Sequence, residues 1–273
     1  MIEAWLALLF GLLIGSFLNV CIYRWPRDLS VVRPRSHCPA CEAPIAWYDN
    51  VPLASFAILG GRCRHCRERI SVRYPLVELL TGGLFFWLVR LYGLAPFAVK
   101  MCVFGAMLVA LFFTDLEQHI LPDEFTLWGT VVGLVFALFA PTLDVTAHAV
   151  LWIVGLDSQG WIANLLAALV AAGLPAGVLW SAGWLYSKAR HREGLGLGDV
   201  KMVALLGCYL GLEAGLAALI IGSIAGSVLG YGYIKATGKD PSTYELPFGT
   251  FLSGAALIIV VFGKQLFGWG VVQ

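Results

Sequence analysis

Asp115 and Asp199 stand at the ends of long apolar segments in a chain that otherwise keeps charge out of its hydrophobic stretches. Asp115 closes the run Met101–Phe113 and opens the polar stretch from Thr114 to Asp123. Asp199 ends Gly194-Leu195-Gly196-Leu197-Gly198-Asp199, just ahead of the apolar run that begins at Met202. An ionised carboxylate at the membrane is costly unless water or a partner meets it, so a pair of them marks a candidate site. Hydrolysing an amide needs a base to activate water and an acid to protonate the leaving nitrogen. Two neighbouring carboxylates that share one proton supply both roles. Gly196 and Gly198 suit such a site, because a residue without Cβ lets a substrate strand approach the backbone beside Asp199. Each aspartate also has a plain structural reading. Asp199 precedes a helical run and fits a first-turn acid favoured by the helix dipole, and Asp123, after Pro122, fits that role even better. Glu117, Asp123 and Glu124 share the short loop of Asp115, so residue chemistry alone does not choose among them.

A second constellation lies in the polar region 24–75. It holds Cys38-Pro39-Ala40-Cys41 and Cys63-Arg64-His65-Cys66, four of the chain's seven cysteines. Two such knuckles at this separation are a strong signal for tetrahedral zinc, each offering two thiolates on one tight turn. The competing readings are two disulfides or four buried thiols. With Cys38, Cys41, Cys63 and Cys66 all bound, the metal has no open position and is structural, which leaves His37 and His65 as exposed loop residues. The region is too short to bury a stable core unaided. Cys21, Cys102 and Cys208 lie in apolar runs and read as packing residues.

The elements that position these residues are set by composition. Fifty-nine percent of residues are hydrophobic and 13% charged, with a mean hydropathy of +0.82, whereas soluble domains carry about 25% charged residues. Apolar stretches long enough to approach the ~30 Å of a bilayer core read at 4–23, 76–93, 97–114, 125–140, 161–187, 200–214, 216–234 and 248–268. The pair 200–214 and 216–234 is separated only by the turn that Gly211, Glu213 and Gly215 suggest. Glu3 in place of a basic leader and the lack of a small-residue cleavage site before Arg24 make the first segment a retained span. The expectation is an all-α polytopic membrane protein with about eight transmembrane helices and a small cytoplasmic zinc-binding loop domain. Its parts are a first span (1–23), the four-cysteine domain (24–75) and a seven-helix membrane part (76–273). No internal repeat or low-complexity tract stands out.

Orientation follows from Lys and Arg, which stay cytoplasmic. Arg24, Arg27, Arg33, Arg35, Arg62, Arg64, Arg67, Arg69 and Arg73 fill the first loop, and Lys188, Arg190, Arg192, Lys201, Lys235 and Lys239 fall on the same face. Only Arg90, Lys100 and Lys264 of the 18 basic residues remain for the other. This places the N-terminus outside and both aspartates on the cytoplasmic side, and a reducing cytoplasm favours zinc over disulfides in the cysteine loop. A net charge of +1 carries no nucleic-acid signature, since membrane orientation already accounts for the arginines.

The chain resembles the type IV prepilin peptidases, membrane aspartic proteases with a Gly-x-Gly-Asp motif. The likeness runs in order through Gly15-Ser16-Phe17-Leu18-Asn19-Val20, Arg24-Trp25-Pro26, both cysteine pairs and Ile70-Ser71-Val72-Arg73-Tyr74-Pro75-Leu76-Val77-Glu78-Leu79. It continues in Asp115-Leu116-Glu117, Ile120-Leu121-Pro122-Asp123 and Gly196-Leu197-Gly198-Asp199-Val200-Lys201. It covers nearly the whole chain, apart from Pro141 to Gly160, which reads as a variable connection. The resemblance puts the two catalytic aspartates on Asp115 and Asp199 and leaves Asp123 outside the pair. It implies a two-step enzyme of the bacterial inner membrane. The enzyme cuts a short basic leader from prepilins or the pseudopilins of type II secretion, after a glycine on the cytoplasmic side. It then methylates the new amino group with S-adenosylmethionine, an activity the family associates with the cysteine loop. No glycine fingerprint for the methyl donor is present, and Gly60-Gly61 before Cys63 is the one place that suggests close cofactor approach.

Docking of the substrate's apolar helix in the bilayer would set the cleavage depth. Gly222, Gly226 and Gly230, every fourth residue of one span, suit a close helix contact, with packing inside the protein the first reading. Two rival readings belong to other classes, and a third lies within the protease class. A proton-coupled transporter needs no four-cysteine domain. A pure assembly scaffold would tolerate loss of both aspartates. Intramembrane proteases like presenilin or signal peptide peptidase share Gly-x-Gly-Asp but not the cysteine loop.

Overall fold

A computed structural model of the chain describes residues 1–142, 144–156, 160–190, 195–238 and 246–268. Among the described residues it is all-helical, with no strand beyond two isolated bridges. The α-helices are α1 (Ile2–Arg24), α2 (Ala54–Ile58), α3 (Arg73–Tyr92), α4 (Pro96–Gln118), α5 (Asp123–Ala137), α6 (Val145–Ile153), α7 (Gly160–Arg190), α8 (Leu197–Thr237) and α9 (Phe248–Phe267). The chain divides into two compact units, Met1–Ala98 and Val99–Gln273.

In the first unit α1 and α3 run antiparallel. Gly11 faces Gly82 and Gly15 faces Glu78 so closely that a Cβ on either glycine would overlap the opposite backbone. The polar side chains of this hairpin face the loop between the two helices. Arg24, buried, donates from Nη1 to Ser30 O and from Nη2 to Pro34 O, both at 2.8 Å. Glu78 Oε2 accepts from Leu53 N at 2.8 Å, and Asn19 Nδ2 donates to Tyr74 O at 3.0 Å. Polar groups in apolar segments are tolerated when hydrogen-bonded; Arg24 and Glu78 tie the loop to the helices that enclose it, and Asn19 ties α1 to the start of α3.

In the second unit α4 is the most enclosed of the long helices, with 78% of its apolar window buried against 33% for α7. Met107 meets Gly129 of α5, Phe104 stacks on Tyr209 of α8 at 4.5 Å, and Phe112 faces Gly254 of α9. Lys100, 1% exposed, donates to Ala140 O at 3.3 Å and to Thr142 Oγ1 at 2.6 Å. Thr142 in turn donates to Tyr209 O at 2.8 Å, so the lysine inside the apolar bundle has two hydrogen-bond acceptors.

Helix α8 contains a reversal. Gly211 has φ 83° and ψ 178°, a conformation that L side chains rarely adopt. A Cβ built on Gly215 would lie 3.3 Å from the Cα of Gly207. Eight residues of uninterrupted helix would separate those positions by about 12 Å, so 197–210 and 212–237 are antiparallel halves of a hairpin. The turn suggested by Gly211 is therefore present, and the two apolar stretches at 200–214 and 216–234 occupy separate halves. By length and composition six helical segments among the described residues can cross a membrane. The difference from eight has two sources. Helix α5 has 15 residues, about 22 Å, and α8 enters that number as one segment although it folds back on itself.

The connection from Pro141 to Gly160 is more structured than its lack of pattern suggested, although Leu143 and residues 157–159 lie outside the described residues. Its helix α6 packs Ala147 and Leu151 against Ala167, Ala171 and Leu212. Asp144 caps it, Oδ1 accepting from Ala147 N at 3.0 Å, while Oδ2 accepts from Leu212 N just past the Gly211 reversal. One carboxylate thus holds both a helix start and the α8 turn. Replacing Asp144 by alanine strands two buried N–H groups, so thermal unfolding of the purified variant should show a loss of about 2 kcal/mol or more. An unchanged unfolding midpoint would show that Asp144 does not hold the turn.

Gly222, Gly226 and Gly230 face Leu252, Phe251 and Leu246 along the α8–α9 contact, which is the internal packing use. Cys21, Cys102 and Cys208 are buried, as packing residues should be.

Candidate functional site

Asp115 sits in the last turn of α4 and Asp199 in the first turn of the following hairpin, so each is delivered by a helix end. Asp115 is 5% exposed and Asp199 is half-buried. Despite their separation in sequence the two aspartates belong to one region, since the Leu121 side chain reaches Gly198, beside Asp199, and the Gly249 that packs on Asp115. Leu121 thus forms one wall. Gly196 has open space apart from the Asp199 carboxylate, consistent with close approach of a strand there. Gly194 of the same motif lies outside the described residues.

The start of α9 completes the site. Asp115 Oδ2 accepts from Thr250 N at 2.6 Å and from Thr250 Oγ1 at 2.9 Å. Gly249 is required for this contact, since a Cβ there would fall 3.0 Å from Asp115 Cγ and 2.7 Å from Leu121 Cδ2. His119, the residue after α4, is exposed.

The other acids of the loop separate from the pair. Asp123 is exposed and accepts from Lys201 Nζ at 2.7 Å, a surface ion pair that joins the starts of α5 and α8. Glu117 and Glu124 are exposed. Two partly desolvated carboxylates that sense one another can share a proton, one acting as base and the other as acid. Thr250 was not anticipated from the sequence. A Gly-Thr step opening the last apolar segment is visible there, but nothing local says which residue that helix start meets.

The four cysteines of the first unit come together as their spacing implies. Their sulfurs all lie within 4.8 Å of one another, and Cys38 Sγ is 3.8 Å from Cys66 Sγ. Four sulfurs ~2.3 Å from a tetrahedral zinc are separated by roughly 3.8 Å, so the cluster fits a zinc ion, and all four cysteines are free of disulfides. The two knuckles repeat one local structure. Cys38 N donates to Ala43 O and Glu42 N to Cys38 O. Cys63 N donates to Glu68 O and Arg67 N to Cys63 O. Glu42 and Arg67, each just after the second cysteine, share a left-handed φ, and bridges His37–Pro44 and Arg62–Arg69 close the two turns. A structural repeat therefore exists where the sequence shows only paired cysteines.

Backbone N–H groups of Cys66 and His65 draw the Cys63 thiol down to about 6. The Glu68 N–H acts to lower Cys66, but burial and the crowding of Cys41, Cys63 and Cys38 outweigh it and push Cys66 up to about 12. Thiolates this close repel unless a cation sits among them. A bidentate Arg64–Asp49 pair, at 2.7 and 2.6 Å, anchors the second knuckle to the turn Trp47–Asn50, and that hydrogen-bonded guanidinium holds the Asp49 carboxyl below its usual range. His37 and His65 are exposed. Gly60 and Gly61 both have positive φ, and Gly61 packs on the Phe56 ring.

Fold and site together define a multi-pass, all-helical membrane protein with a paired-carboxylate site and a four-cysteine loop. The bacterial peptidase A24 N-terminal domain matches residues 9–92, and the type IV leader peptidase family matches residues 102–231. A prepilin leader peptidase/N-methyltransferase of Myxococcus xanthus (strain DK1622) is 42% identical over 229 residues, covering 84% of this chain and 62% of that protein. The chain thus spans less than two thirds of the length of that relative. The protein of the same name from Aeromonas hydrophila is 34% identical over 291 aligned positions, 97% of this chain and 92% of the relative. That from Burkholderia pseudomallei (strain 1026b) is 33% identical, with 96% and 86% covered. The chain belongs to the type IV leader peptidase family. No solved structure matches it.

Proposed function

We propose that this chain is a membrane aspartic endopeptidase in which Asp115 and Asp199 form the catalytic pair. It removes the leader from type IV prepilins or type II secretion pseudopilins after a glycine, on the cytoplasmic side of the bacterial inner membrane. The observation that supports the reading is that Leu121 reaches both Gly198, beside Asp199, and Gly249 against Asp115, with Asp115 buried and the neighbouring acids exposed. Asp199 or Asp115 takes a proton from water, the water attacks the scissile carbonyl, and the partner returns a proton to the leaving nitrogen. The distribution of basic residues supports an N-terminus outside and this site inside; Arg192 and Lys239, which contribute to that bias, lie outside the described residues. Purified protein incubated with a prepilin, with mass spectrometry of the new N-terminus, tests the assignment, and an uncut precursor under conditions where the enzyme is folded would refute it.

Zinc bound by Cys38, Cys41, Cys63 and Cys66 organises the 24–75 domain. With four thiolates engaged it offers no site for substrate and acts through structure. The names of the relatives support a second activity, methylation of the exposed amino group by S-adenosylmethionine, and the substrates are the precursors themselves, docked by their apolar helices in the bilayer.

Methyl transfer needs a free amine positioned against an activated methyl and has no use for a proton-sharing acid pair. Asp115→Asn should therefore abolish cleavage while still methylating a precleaved pilin, and disruption of the cysteine loop should reduce methylation at least as much as cleavage. Loss of methylation in folded Asp115→Asn protein would mean that the two sites overlap.

A further inference from the structure

We propose that Thr250 is a positioning residue for the hydrolysis, one that determines which oxygen of Asp115 does the chemistry. The inference rests on the reading of Asp115 as a catalytic acid. Both donors of Thr250, the backbone N–H at 2.6 Å and the hydroxyl at 2.9 Å, reach the same atom, Oδ2. A carboxylate is a nearly two-fold rotor about its last torsion, and its two oxygens exchange unless something distinguishes them. Two donors on Oδ2 do so, and leave Oδ1 as the oxygen free for water, substrate or the proton shared with Asp199.

The source of these donors explains their strength. Helix α9 begins at Phe248, so the Thr250 N–H belongs to its first turn; it makes a longer contact to Pro247 O at 3.2 Å and the shorter one, at 2.6 Å, to Asp115. The same helix end carries the positive pole of the backbone dipole. Asp115 thus completes the N-terminus of a helix 135 residues away, and that helix holds the carboxylate in return. The Thr250 hydroxyl also lies 3.3 Å from Phe112 O. It carries one proton, and the shorter contact assigns that proton to Asp115. Gly249 makes the approach possible, for any side chain there would displace Leu121 or the Asp115 carboxylate. Thr250 lies beyond the 102–231 segment that the family match covers.

Three variants of the full-length protein, assayed for prepilin cleavage with kcat and KM determined separately, test this role. Thr250→Val keeps the shape and the N–H but removes the hydroxyl. It should lower kcat by about tenfold or more through loss of carboxylate alignment, with KM changed by less than about twofold, because Thr250 touches Asp115 and not the substrate. Thr250→Ser, which restores the hydroxyl, should recover kcat to within about threefold of the parent. Thr250→Ala, which removes the hydroxyl without branching, should match the valine variant and serves if that variant does not fold. Parental kcat in Thr250→Val or Thr250→Ala, or a serine variant as impaired as they are, overturns the proposal. Asp115→Asn measured alongside separates the two levels. If it still cleaves, the catalytic reading itself fails. If it is inactive while the hydroxyl-free variants turn over normally, only the positioning role falls.

Discussion

Asp115→Asn and Asp199→Asn should each lower leader cleavage by about a thousandfold or more while leaving the protein inserted and folded. Asparagine keeps the size and planarity of the side chain, and at position 115 its carbonyl oxygen can still accept from Thr250 N and Oγ1, so the α4–α9 contact survives. An amide can neither take a proton from water nor share one with a neighbouring carboxylate, and general acid–base catalysis contributes ~10²- to 10⁴-fold in rate for each such group. Two acids that act as one unit are not additive, so on the proposed mechanism the double variant should be little worse than either single one. Asp123→Asn is the control. Its carboxylate meets Lys201 on the surface, and the change should cost little beyond a weak ion pair. The measurement is time-resolved mass spectrometry of a purified prepilin, with thermal unfolding of each variant as the check on folding. Substantial turnover by either single variant at normal protein levels would remove the paired-carboxylate mechanism.

The second large effect concerns metal. Protein purified without chelators should contain one zinc per chain by elemental analysis, and Cys38→Ser, Cys41→Ser, Cys63→Ser or Cys66→Ser should each release it. The loop between α1 and α3 has little core of its own; α2, its one α-helix, is five residues long. Metal binding worth an apparent ~10 kcal/mol or more therefore supplies much of its folding energy. Hydrogen exchange across 36–70 should rise sharply on chelation or cysteine loss, while α1 and α3 stay protected, since their contact is made by close packing of Gly11 and Gly15 against the opposite helix. A protected loop in metal-free protein would refute zinc as the organiser, and oxidised cysteine pairs in such protein would restore the disulfide reading.

Features were legible in the sequence in proportion to how local their causes are. A knuckle needs two cysteines three residues apart on one turn, so the pairs at 38/41 and 63/66 could be read as one site before any coordinates. Apolar runs announce themselves in the same way, because burial in lipid acts on each segment separately, and every apolar stretch read from the sequence corresponds to a helix or half-helix. The count of six against eight turns on α5, whose length falls short, and on α8, where continuity depends on one residue. Glycine tolerates both the helical conformation and a positive φ, so Gly211 permitted a break without dictating one. The buried Asp144 beside it accepts the Leu212 N–H at the reversal.

The sequence by itself determined the class of protein, the spans, the cysteine cluster and a short list of acids. Tertiary structure alone brought Asp115 and Asp199 to the same side chain, Leu121, left Glu117, Asp123 and Glu124 exposed, and set Thr250 against Asp115. Carboxylates carry the same chemistry wherever they stand. What distinguishes a candidate catalytic one is desolvation and the donors around it, and here those come from α8 and α9, helices whose approach to α4 is fixed by packing at Leu121, Phe112 and Gly249 and leaves no local trace in the chain.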